Sequence, residues 1–70
     1  MQRTEVKSSS VVSIGYDPRA LILEVEFRSG RIYRYFDVSE YTHQMLMNAP
    51  SHGGFLTDNI RYTHRYQRVV

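Results

Sequence analysis

The residues best suited to chemistry in this sequence are tyrosines and arginines, and the chemistry they suit is binding. Tyr33 and Tyr35 are two residues apart, so their rings would lie on one face of a strand. Aromatic rings on a sheet can stack on unpaired bases, while arginine guanidinium groups neutralise phosphates. The sequence therefore predicts an aromatic and basic surface that binds nucleic acid. Its predicted residues are Tyr33, Tyr35, Arg31, Arg61, Arg65 and Arg68, with Arg28 beside them.

The distribution of charge agrees with a local basic patch rather than a strongly basic protein. The net charge is only +2, and eight of the nine basic residues are arginine. Residues 1–40 carry six basic and six acidic side chains, whereas residues 41–70 carry three arginines and one aspartate. The whole excess of positive charge therefore lies near the end of the chain, where a cluster can form a patch despite the small total.

The residues give little support to catalysis. The sequence has no cysteine, and no serine lies in the context of a nucleophile elbow. Its three histidines lie nine and twelve residues apart, without the close pairs typical of metal sites. Glu24 and Glu26 are the only close carboxylates on one strand face, and we expect them on a solvated surface. The sequence thus predicts a non-enzymatic protein with no metal, cofactor or small-molecule substrate.

The elements that must position these side chains make one small domain. Residues 1–9 read as a flexible leader, and residues 10–68 as a single α+β domain. A strand from Ser10 to Tyr16 precedes a turn at 17–20, and an alternating strand runs over 21–28. The sequence has neither a secretory signal nor a long apolar run, which predicts a soluble, cytoplasmic protein without membrane contact.

The turn at Ser29-Gly30 fixes the expected pairing of the hairpin. A loop of two or four residues would place Glu24 opposite Tyr35 and Glu26 opposite Tyr33, and leave the other face apolar. Arg34 would then lie on the apolar face, at the sheet margin or beside an acidic partner. Two carboxylates next to the tyrosines would repel phosphate, which favours a structural role for the tyrosines.

Two helices complete the predicted fold. Asp37 or Ser39 can cap a helix that runs to Ala49, before Pro50. Its expected apolar stripe is Val38, Tyr41, Met45, Leu46 and Ala49. A short second helix is expected over 55–62, and residues 62–70 stay open between helix, extended chain and frayed tail. The predicted architecture is a three-stranded antiparallel meander with the main helix packed on one face.

Motifs spread along nearly the whole chain resemble one known family. They are Ser9-Ser10, Ile14-Gly15-Tyr16-Asp17, Leu23-Glu24-Val25-Glu26-Phe27, Gly30, Tyr33-Arg34-Tyr35, Val38, Leu46, Ala49, Ser51, Gly53, Ile60-Arg61 and Tyr66-Gln67-Arg68. Together they resemble the KTSC domain, which occurs at the C-terminus of some lysyl-tRNA synthetases and as free-standing bacterial proteins. The family's central Tyr-x-Tyr maps onto Tyr33 and Tyr35.

The resemblance implies a partner rather than a reaction. Association with synthetases implies an accessory RNA-binding module, with tRNA as its RNA. The alternative is a module for protein interaction or self-association, because outer strands and a two-tyrosine face can also contact protein. The direction of the tyrosine rings separates these hypotheses, since exposed rings beside arginines favour RNA and buried rings favour a structural role.

Overall fold

The computed structural model describes all 70 residues as one antiparallel sheet and two helices. The strands are β1 (Arg3–Glu5), β2 (Val11–Asp17), β3 (Ile22–Phe27), β4 (Ile32–Tyr35) and β5 (Tyr66–Arg68), and the helices are α1 (Glu40–Met47) and α2 (His52–Asn59). The strands follow the order β1-β2-β3-β4-β5 in the sheet, and both helices lie in sequence between β4 and β5. The predicted α+β class with an antiparallel sheet is confirmed, but the count of three strands is wrong.

The two additional strands form the two edges of the sheet. β1 lies in the predicted flexible leader and pairs with β2, while β5 lies in the segment left open and pairs with β4. Gly15 permits the first pairing, because a Cβ there would lie 2.7 Å from the Gln2 carbonyl oxygen. Each edge strand has three exposed residues, a length that limits pairing with other chains.

The pairing of β3 with β4 differs from the predicted register by one residue. Leu23 lies opposite Tyr35 and Val25 opposite Tyr33. The cause is a three-residue loop that ends at Gly30, whose φ of 91° lets the chain turn in the left-handed region. The Phe27 amide donates to the Arg31 carbonyl at 2.9 Å and closes this odd-numbered loop. A slip of one residue moves every β4 side chain to the other face.

The core lies between the helices and the sheet face that carries Leu23, Val25 and Tyr35. Its buried side chains are Val11, Ile14, Leu23, Val25, Tyr35, Val38, Leu46, Leu56 and Ile60. Neither helix has the length and apolar character that crossing a membrane requires.

Helix α1 buries fewer side chains in this core than its predicted apolar stripe contains. Of the two expected caps, Asp37 and Ser39, it is Ser39 that caps the helix. Its side chain accepts a hydrogen bond from the Thr42 amide at 3.1 Å. Leu46 is its buried residue, whereas Tyr41 and Met45 are exposed. Five residues turn a helix by about 140° beyond a full turn, so Tyr41 points well away from Leu46.

Helix α2 begins earlier than predicted. Ser51 accepts a hydrogen bond from the Gly54 amide at 3.0 Å, so residues 52–54, which precede the predicted helix, form its first turn. The helix ends at Asn59 rather than at residue 62. Leu56 and Ile60 are buried in the core, and Phe55 packs against it from a partly buried position.

The sheet face away from the core holds an ion-pair network around Glu24. Its carboxylate accepts hydrogen bonds from Arg3 at 2.6 Å and from Arg34 at 2.8 Å. Glu24 is 5% exposed, so the expectation of a solvated carboxylate is wrong for this residue. Arg34 does meet an acidic partner, although on the face opposite to the predicted one. Burial acts to raise the pKa of Glu24, but the hydrogen bonds from Arg34 and Arg3 outweigh it and lower that pKa below its usual value.

Candidate nucleic-acid interface

Two adjoining cavities form one concave surface where β4, β5 and the end of α2 meet. The smaller cavity, of about 160 Å³, is lined by Tyr33, Tyr35, Arg61, Tyr62 and Tyr66. The larger, of about 380 Å³, is lined by Ser9, Ser10, Phe27, Arg28, Ser29, Arg31, Tyr33, Tyr35 and Arg61. Because they share Tyr33, Tyr35 and Arg61, they make a single surface, which we call the tyrosine–arginine groove.

Three stacked tyrosines form the aromatic part of the groove. Pairing of β4 with β5 places Tyr35 opposite Tyr66 on one face of the sheet. The Tyr66 ring lies 5.6 Å from the Tyr33 ring and 6.1 Å from the Tyr35 ring, measured between centroids. Tyr33 and Tyr35 are 6.3 Å apart with nearly parallel rings. The strands thus hold a preformed stack, which is the arrangement that binds unpaired bases in other sheet proteins.

The rings of this stack differ sharply in exposure. Tyr35 is 1% exposed and belongs to the core, whereas Tyr33 is half-buried. Tyr66 is 60% exposed, and the neighbouring Tyr62 is 77% exposed. The buried ring of Tyr35 therefore has the structural role that the direction of the rings was expected to reveal, and the half-buried Tyr33 is only partly open. The open rings of the groove come from the residues after α2.

Sequence reasoning missed Tyr62 and Tyr66 as members of the site. Both lie in the segment whose conformation was left open. Tyr66, Gln67 and Arg68 form one of the motifs that resemble the family, but their alternation is too short to predict a strand. Their position depends on the pairing of β5 with β4, a contact between distant parts of the chain.

Arg61 is the central cation of the groove. It lines both cavities, and no carboxylate lies within ion-pair distance of it. Its guanidinium lies 5.8 Å from the centre of the Tyr62 ring. Arg31 lines the larger cavity, and Arg68 lies opposite Tyr33 on the same face of the sheet. An arginine without an acidic partner is free to bind an anionic ligand.

The structure does not bring Arg65 into this group. Its guanidinium lies 5.3 Å from the centre of the Phe36 ring and 3.4 Å from the Asp37 carboxylate. Phe36 follows Tyr35 in the chain, so its side chain points to the other face. Of the six predicted binding residues, five share the groove face or its rim and Arg65 does not.

The corrected register removes the two glutamates from the tyrosine face. Glu24 and Glu26 alternate with Leu23 and Val25, so they lie on the opposite side of the sheet. The expected repulsion between these carboxylates and a phosphate at the tyrosines is therefore wrong. Asp58 lines a further cavity that shares Ser9, Ser10, Phe27 and Arg61 with the larger cavity of the groove. The charged side chains that line the groove itself are all arginines.

A second concave region, around Tyr16 and His43, is better explained by packing. The two rings stack at 4.3 Å, and the Tyr16 hydroxyl donates to the Val38 carbonyl at 2.5 Å. Burial lowers the pKa of His43, although Glu40 opposes this change. The Tyr16 hydroxyl is thus committed to the backbone, and the region, although larger, presents no set of free groups comparable with the groove.

Comparison with known proteins identifies the family. A model of the KTSC domain matches residues 7–66. The chain belongs to the KTSC domain family. A crystal structure of a KTSC domain protein from Yersinia pestis superimposes with a TM-score of 0.95 at 39% identity, covering 99% of this chain and 97% of the other.

Two sequence relatives show the settings in which this KTSC domain type occurs. An uncharacterized protein of Stutzerimonas stutzeri is 44% identical over 70 residues and covers 99% of both chains. A lysine–tRNA ligase of a Nostoc species is 33% identical over 63 residues, which are 90% of this chain but 11% of the ligase. The similarity to the ligase is thus confined to a small segment of a much longer protein.

Proposed function

We propose that this KTSC domain is a non-enzymatic RNA-binding module that holds a single-stranded segment in the tyrosine–arginine groove. The observation that carries the proposal is the exposed Tyr66 ring, stacked on Tyr33 beside the unpaired Arg61. An open aromatic face attracts an unpaired base, and the arginines of the groove attract the anionic strand that carries it. Duplex RNA cannot use this arrangement, because its bases are already stacked inside the helix.

The relatives support RNA as the ligand class. The Nostoc relative is a lysine–tRNA ligase, and its matching segment is short enough to be an accessory part of that enzyme. A groove with a few arginines suits such an accessory role, since an attached domain can raise the affinity of the whole enzyme for RNA without a large basic surface of its own. We propose tRNA, with its unpaired loops and end, as the first natural ligand to examine.

The structure offers less to the alternative of self-association through the sheet. Both edge strands have three residues, so an added strand would gain few backbone hydrogen bonds. The exposed aromatic rings of the groove lie beside cations, a combination that suits an anionic ligand better than an apolar surface. Protein contact therefore remains the second hypothesis.

The proposal predicts salt-dependent binding of single strands. Fluorescence anisotropy of a labelled single-stranded RNA should show affinity that falls as salt rises. If Arg28, Arg31 and Arg68 each contact one phosphate, the slope of log K against log salt is about −2. The matched control is the same strand annealed to its complement, which should bind more weakly. Absence of binding at low salt, or equal binding of the duplex, would contradict the proposal.

A further inference from the structure

Tyr35 places an unpartnered hydroxyl in the groove. The residue is 1% exposed, and its hydroxyl makes no hydrogen bond to any other group of the protein. No buried polar side-chain atom of the protein lacks a partner, so this hydroxyl must reach the groove surface. Tyr35 lines both cavities of the groove. A hydroxyl without a protein partner at the surface of a cavity is free to form a hydrogen bond with a ligand there.

Arg61 and Tyr35 line both cavities of the groove, so a ligand in the smaller cavity can meet both side chains. Burial raises the pKa of Tyr35, although the charge of Arg61 opposes this change. The phenol therefore stays protonated at neutral pH and can donate or accept a hydrogen bond. Arg61 offers only donors, arranged in a planar fork. The floor of the smaller cavity thus presents more donors than acceptors.

The exposed tyrosine rings that line the smaller cavity can stack on a flat ligand ring. Tyr62 and Tyr66 both line it with exposed rings, and Tyr62 contacts Arg61 rather than another aromatic ring. A base that enters can stack on Tyr66 and direct its polar edge toward Arg61 and Tyr35.

We infer that the smaller cavity of the groove selects an unpaired guanine, read by the Arg61 guanidinium and the Tyr35 hydroxyl. This inference rests on the proposed RNA binding and names its preferred base. Guanine carries the acceptors O6 and N7 side by side, and this pair matches the fork of arginine. Adenine places an amino donor beside N7, so it opposes one donor of Arg61. Uracil offers no adjacent pair of acceptors on its exposed edge. An unpaired cytosine has such a pair, N3 and O2, but its single ring gives Tyr66 a smaller stacking surface than a purine does.

Base-substituted oligonucleotides test the inference. Anisotropy titrations would compare an eight-nucleotide uridine strand with strands that carry guanine, adenine or 7-deazaguanine at the centre. The guanine strand should bind about tenfold more tightly than the adenine strand, in the range of a bidentate base contact. The 7-deazaguanine strand should lose most of this gain, because it keeps the stacking surface but lacks the N7 acceptor.

The outcomes separate this inference from the proposal on which it rests. Equal binding of all strands would overturn guanine selection and leave RNA binding supported, whereas no binding of any strand at low salt would overturn both. The variant Arg61→Ala removes the guanidinium, so it should reduce the ratio of guanine to adenine affinity to about one. An equal loss for every strand, with the ratio unchanged, would mean that Arg61 contacts phosphate only and would contradict the inference.

Discussion

Replacing Tyr66 with alanine is expected to weaken the binding of single-stranded RNA by roughly 5- to 150-fold, the range that corresponds to about 1–3 kcal/mol per stacked base. Tyr66 is 60% exposed and lies on the edge strand β5, so most of its ring is open to a ligand. Anisotropy titration of one RNA with both proteins measures the effect. The variant Tyr66→Phe keeps the ring and should retain most of the affinity.

A matched control for this substitution exists on α1. Tyr41 is 71% exposed and lies on the outer side of the helix, outside the residues that line the groove. Tyr41→Ala removes an equally exposed ring, and we expect RNA affinity within about twofold of the wild type. Similar losses from the two alanine variants would mean that exposed tyrosines act without regard to position. That result would contradict a defined groove.

The second large effect is on stability. Replacing Glu24 with glutamine should lower the free energy of unfolding by about 1–3 kcal/mol, because hydrogen bonds to a charged partner contribute that much. A domain of this size has roughly 4–10 kcal/mol in total, so the loss is a substantial fraction. The control is Glu26→Gln, since Glu26 is more exposed and lies 3.8 Å from Arg3. Urea unfolding should give Glu24→Gln a clearly lower free energy of unfolding than Glu26→Gln. Equal values for the two variants would contradict a stabilising role of the Glu24 carboxylate.

The same carboxylate gives the stability a defined dependence on pH. The pKa of Glu24 is lower in the folded protein than the ordinary value of 4.5. The unfolded chain therefore takes up the proton first as pH falls. The stabilisation is present above about pH 4.5 and is lost as pH falls through the folded pKa. The wild type should lose stability more steeply in this window than Glu24→Gln, and parallel curves would contradict the assignment.

The class of the fold could be predicted from local sequence patterns, whereas the pairing of its strands could not. Alternation in β3 and the serine cap of α1 are properties of neighbouring residues, so they were predictable. The register of β3 with β4 depends on whether the loop that contains Gly30 has an even or odd number of residues. Sequence alone favoured the even loop, and the structure has the odd one. Strands β1 and β5 are too short to show periodicity and form only because neighbouring strands pair with them.

This single difference in register changes the interpretation of the candidate site. Tyr33 and Tyr35 were expected beside Glu24 and Glu26, where phosphate would be repelled. The observed pairing leaves the carboxylates with Arg3 and Arg34 on one face and the tyrosines with Arg61 on the other. The most exposed ring of the stack, Tyr66, comes from the segment in which no element was predicted.

The most direct test of RNA binding in the tyrosine–arginine groove is an NMR titration of the ¹⁵N-labelled protein with a short single-stranded RNA at low salt. Binding in the groove predicts chemical-shift changes at the amides of Tyr33, Arg61 and Tyr66, with little change at the amides of β1, whose Arg3 contacts Glu24 on the other face of the sheet. Changes centred on the Glu24 face, or a spectrum that does not respond to RNA, would contradict it.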